Sequence, residues 1–192
     1  MATQLVRYAQ DCARTLLADD YPEQWERSRR AAAQAATVVE VLDRPRGEIM
    51  VAAAWLHAVG HARTVITSGC VPIDGAIHLL AEGWPTPVVN LVAHQGQARL
   101  LAAAYGDVER LALFDRIQGW PSDILDYAVT MGLPPEGTTD PEVGLRLAAK
   151  QVPASLAITA RDRSMRERRL RRAVDRVHAA LIAARSPAHQ GA

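Results

Sequence analysis

Apolar residues recur at three- and four-residue spacing along nearly the whole chain, and no convincing run of alternating β-branched residues appears. That period places side chains on one face of an α-helix, whereas a strand needs a period of two. The pattern argues against a sheet and predicts an all-α fold. Helices are expected over residues 3–18, 22–42, 47–59 and 72–80. Another opens at Pro85 and Pro87, and further ones cover 107–117, 121–131, 140–151 and 154–185. Pro22 and Pro72 suit first helical turns, and Gly60 suits a left-handed helix end. The first helix carries Leu5, Tyr8, Ala9, Cys12 and Leu16 on one stripe. In the third, MVAAAWLHAV over 50–59 is apolar on every side, so it should run through the core. The stretch GLPPEGTTDP over 132–141 reads as a surface loop, because its flanking helices are too short to fold separately. Residues 1–185 are expected to form one domain and 186–192 a frayed tail.

A chain of 192 residues buries roughly 70% of its unfolded surface and needs no covalent staples. Its two cysteines, Cys12 and Cys70, are too few for a disulfide framework or a four-cysteine zinc site. Arg7, Asp11 and Arg14 argue against a secretory leader, and no apolar run approaches the roughly 20 residues of a membrane span. The expectation is a cytoplasmic protein with no membrane partner. The net charge of +1 conceals an asymmetry: 161–192 holds nine arginines against three acidic residues. Leu170, Val174, Val177, Leu181 and Ala184 form an apolar stripe there, so the segment reads as a helix laid on a core. Its arginines are expected to form a solvated face that pairs with the acidic body. A partner or homo-oligomer contact is the alternative, and nucleic acid is not the expected partner.

Residues 52–61 read AAAWLHAVGH, and here the chain resembles the HD superfamily of metal-dependent phosphohydrolases. In that family a helix of the form A-A-x-L-H-D-I-G delivers adjacent His and Asp ligands to a divalent metal. GCVPIDGA over 69–76 is similar to a G-F-H-P-x-D-G-A turn in one small bacterial branch. LVAHQ over 91–95 is similar to its L-V-A-H-H, and DYAV over 126–129 to its x-Y-A-D. Arg27, two residues after Trp25, falls where that branch carries a metal-binding histidine. The resemblance spans about 20–131 and implies a single-domain, HD-like helical bundle.

The family's four ligands, His … His-Asp … Asp, fall here on Arg27, His57, Ala58 and Val129. Val71 and Gln95 also stand where the branch has histidine, and His94 is retained. A hard divalent cation needs several oxygen or imidazole donors, with carboxylates to offset its desolvation. Both carboxylates are missing, and arginine stays charged. At about 4 Å and an effective dielectric near 20, each unit of charge product is worth roughly 4 kcal/mol. No metal site and no cofactor are therefore expected.

The pocket candidates are Arg27, His57, His61, Asp74, His94 and Gln95. Each also has a plainer reading. His57 suits a hydrogen-bonded core histidine, and Asp74 suits a helix cap or a brace for the turn near Pro72. Arg27 needs a partner if buried, either Asp74, Asp126 or a bound anion. His57 and His61, four apart, are suitably spaced for zinc only if the helix continues through Gly60. Neither Cys12 nor Cys70 reads as an activated nucleophile. The expected function is a degenerate HD-fold protein, a pseudoenzyme that binds an anionic or phosphate-bearing small molecule or serves regulation. One alternative is an active phosphohydrolase in which His57 and His94 retain a divalent metal. Another is a nucleic-acid or protein adaptor working through the arginine-rich C-terminal helix.

Overall fold

Helix α3 (Gly47–Leu56) passes through the centre of the molecule with eight of its ten residues buried, as a segment apolar on all sides requires. Packed around it are α1 (Gln4–Leu17), α2 (Pro22–Val41), α5 (Thr86–His94) and α8 (Trp120–Met131). Helix α4 (Val71–Ala81) lies on α5 and on a 3-10 turn, Val59–His61, that follows α3. Two short helices, α6 (Ala98–Tyr105) and α7 (Val108–Leu111), lead to α8. Helix α9 (Pro141–Lys150) and the long α10 (Ala160–Arg185) close the far side, α10 lying along α8. This computed structural model describes residues 3–42, 44–96, 98–152 and 156–185, among which there are ten α-helices and no strand. One apolar core runs through the described helices, from Ala9 to Leu181. The expected tail, 186–192, lies outside the described residues.

Local signals set most helix starts. Proline occupies the first turn of α2, α4, α5, α8 and α9. There its missing N–H would have no intrahelical partner in any case. Thr159 Oγ1 accepts from Asp162 N at 3.1 Å and caps α10. The stripe Leu170, Val174, Val177 and Leu181 is buried, and the solvated face holds ion pairs such as Arg176–Asp123 at 2.7 Å and Arg171–Glu142. No helix among the described residues is long and apolar enough to cross a membrane.

Several expectations change in the tertiary setting. In α1 the core side is Ala9, Ala13 and Leu17, while Leu5, Cys12 and Leu16 are half-buried and Tyr8 is exposed. Small alanines let α1 approach α3 closely, so the stripe turns away from its largest side chains. The helix expected over 107–117 is only the four residues of α7, and α6 fills a stretch to which the periodicity assigned no helix of its own. Helix α3 stops at Leu56, short of the expected 59. Gly60 does not take the left-handed conformation. Its place in a 3-10 turn is dictated by packing: a Cβ there would lie 2.0 Å from the Val71 carbonyl oxygen.

Candidate functional site

That close approach shapes one wall of a cavity of about 440 Å³. The end of α3 and the 3-10 turn contribute His57, Ala58 and His61, and α2 contributes Arg27. Gln95 and Gly96 follow α5, Asp126 and Val129 come from α8, and Arg166 comes from α10. Much of the remaining lining is apolar, including Ile66, Leu101, Leu133 and Leu170. Behind the wall, Trp25 of α2 stacks on Trp55 of α3 with ring centroids 5.3 Å apart. That contact fixes the register of the two helices that carry Arg27 and His57.

His57 Nδ1 donates to the Ala54 carbonyl at 2.8 Å. The neutral ring therefore keeps its proton on Nδ1 and leaves Nε2 as an acceptor. Burial, aided by the positive charges of His61 and Arg27, pulls its pKa down to about 4. Burial and Arg27 also lower the pKa of His61. Gln95 Nε2 donates to the His57 carbonyl at 2.6 Å, tying the end of α5 to the end of α3.

Arg27 pairs with neither Asp74 nor Asp126, the two internal partners considered for it from sequence. Its Nη1 donates to Gln151 Oε1 at 2.7 Å and its Nη2 to Glu23 Oε1 at 2.5 Å, with the side chain 20% exposed. Asp74 and His94 are not in the cavity lining. Asp74 is buried and accepts from Thr67 Oγ1 at 2.6 Å, Ser68 N at 3.0 Å and Gly69 N at 2.8 Å. Burial raises its pKa, yet these hydrogen bonds outweigh burial and hold it below the ordinary value. It braces the loop before α4. His94 Nε2 lies 2.7 Å from the Phe114 carbonyl and ties α5 to the chain after α7. Cys12 and Cys70 are both raised to about 11, chiefly by burial, so neither presents a thiolate.

Two charged residues of the cavity are absent from the sequence candidates. Asp126 is buried and accepts from Gly96 N at 2.7 Å, and burial pushes its pKa up to about 6. Arg166 is only 8% exposed, and its Nη2 donates to the Ala148 carbonyl at 2.9 Å. Its Nε has no hydrogen-bond partner, and it forms no ion pair within 4 Å among the described residues. Burial lowers its pKa to about 10, which still leaves it charged at neutral pH. A signal for Arg166 exists in the sequence. It stands four residues before Leu170 and continues the apolar stripe of α10 by one turn, whereas its neighbours Glu167 and Arg168 are exposed.

The four positions at which the resemblance puts metal ligands, 27, 57, 58 and 129, all line this one cavity. Their donor chemistry does not suit a divalent cation: a guanidinium held by Glu23, one imidazole nitrogen, a methyl and an isopropyl group. Among the described residues, no three His, Cys, Asp or Glu side chains are grouped so that they could share an ion. No family model, no curated protein and no solved structure matches the chain.

Proposed function

We propose that the chain is a degenerate member of the HD superfamily whose cavity binds a small organic anion, in a binding or regulatory role rather than in hydrolysis. One observation carries the reading: positions 27, 57, 58 and 129, far apart in sequence, converge on a single cavity that also holds Arg166. Arginine offers a forked set of N–H donors suited to carboxylate and phosphate, and a partly buried one is worth more than one in water. His57 Nε2 adds an acceptor for a ligand hydroxyl or amide. In this reading the protein is cytoplasmic and acts without nucleic acid or membrane.

Restoring the donors tests the reading. Arg27→His, Ala58→Asp and Val129→Asp together replace one fixed cation with an imidazole and two carboxylates beside His57. Calorimetry with manganese is expected to show no binding to the natural chain and measurable binding to the triple variant. The variant should also melt higher with excess metal, by about 2.7 kcal/mol of stabilisation at one hundred times its Kd. Tight manganese uptake by the natural chain would overturn the reading.

A further inference from the structure

Building on that reading, we infer that the cavity takes a singly charged anion with an apolar body, its charged head held by Arg166. The inference rests on which charges in the cavity are already answered. Arg27 lines it, but Glu23 answers its charge and Gln151 takes a further N–H. Arg166 lines it more than nine-tenths buried, with an Nε that has no partner and one Nη bonded only to a neutral carbonyl. Buried polar groups are almost always satisfied, and an orphaned guanidinium N–H is an exception that a ligand oxygen would remove.

The opposite charge in the cavity is Asp126, whose hydrogen bond comes from the Gly96 amide and not from an arginine. It repels a polyphosphate while leaving room for a ligand with one negative group. Apolar side chains on several elements match a hydrophobic body: Leu101 and Tyr105 on α6, Leu133 after α8, and Leu170 on α10. Ile66 and Tyr105 are exposed as well as lining, so the opening is itself apolar. A volume of about 440 Å³ falls in the range that encloses drug-sized molecules. Size, apolar wall and a buried cation with no ion pair within 4 Å among the described residues together specify the class.

The test uses two fluorescent probes of nearly the same shape on the full chain. One is 1-anilinonaphthalene-8-sulfonate, which carries one charge; the other is N-phenyl-1-naphthylamine, which carries none. Both are expected to bind the natural chain, and Val129→Trp, which fills the cavity, should release both. Arg166→Met is expected to weaken the sulfonate about 10-fold or more while leaving the neutral probe within about twofold. Arg166→Gln should repeat that selective loss, and Arg166→Lys should recover part of it. Equal weakening of the two probes by Arg166→Met and Arg166→Gln would overturn the inference, as would probe binding that survives Val129→Trp. Pyrophosphate is expected not to displace the sulfonate. Tight pyrophosphate binding, insensitive to residue 166, would end the single-charge assignment and leave anion binding intact. If neither the sulfonate nor pyrophosphate binds, the anion-binding reading itself falls.

Discussion

Gly60→Ala is expected to cost about 3 kcal/mol or more of folding stability, at or beyond the upper end of what a single overpacked methyl does. A Cβ at this position would sit 2.0 Å from the Val71 carbonyl oxygen, 2.8 Å from its carbon and 3.0 Å from Gly75 N. All three are backbone atoms at the start of α4, so no side-chain rotation can relieve the contact. The 3-10 turn or the whole of α4 must move. Native proteins have only about 5–15 kcal/mol of stability to lose. Gly83→Ala is the matched comparison. Gly83 has φ +75° and open space around its missing Cβ, so it should lose only the left-handed strain of about 1–2 kcal/mol. Urea denaturation of both variants checks the pair, and a Gly60→Ala cost no larger than that of Gly83→Ala would falsify the packing argument. His57 and His61 flank Gly60, so any folded fraction of Gly60→Ala should also bind the sulfonate probe more weakly.

The second large effect concerns pH. Asp126 titrates at about 6 in the folded protein against an ordinary value of 3.8. The folded state therefore keeps a proton that the unfolded chain releases. Its contribution is favourable below the ordinary value and is lost as pH rises through about 6. A shift of roughly two units corresponds to about 3 kcal/mol. His57 runs the other way: at about 4 against 6.5, the folded state refuses a proton that the unfolded chain accepts. Its contribution is full above 6.5 and is lost as pH falls through about 4.

Between about pH 4 and 6 the two slopes oppose each other, so this pair leaves stability nearly level there. Asp126→Asn removes one slope while its amide oxygen can still accept from Gly96 N. The variant should match the natural chain near pH 4 and exceed it above pH 6, by up to about 3 kcal/mol. Its own stability should fall steeply on acidification, because the His57 slope is no longer masked. Urea titrations at several pH values supply the difference curve. A difference independent of pH would show that the buried carboxyl is not the cause.

Much of the fold was legible because it is written locally. The 3.6-residue period and the prolines at first turns locate α1, α2, α4, α8 and α9 to within a residue or two. The all-apolar run before His57 is the buried central helix. Four of the six site candidates, Arg27, His57, His61 and Gln95, line one cavity. What was not legible is α6, to which the period assigned no helix of its own, and the early end of α7 at Leu111 in place of the expected 117, since both helices are short.

Sequence alone determined the fold class and where most of the helices run, since the spacing of neighbours three and four apart settles both. Tertiary structure decided what each polar side chain faces. Asp74 and His94 were drawn to the 67–69 loop and the Phe114 carbonyl, and Arg27 to Glu23 and Gln151. Arg166, one arginine among nine in the C-terminal segment, became the buried cation of the cavity. Hydrogen bonds act only within about 3.5 Å, and burial changes what a charge costs. Both depend on which segments meet across gaps of up to 124 residues, as Arg27 and Gln151 do.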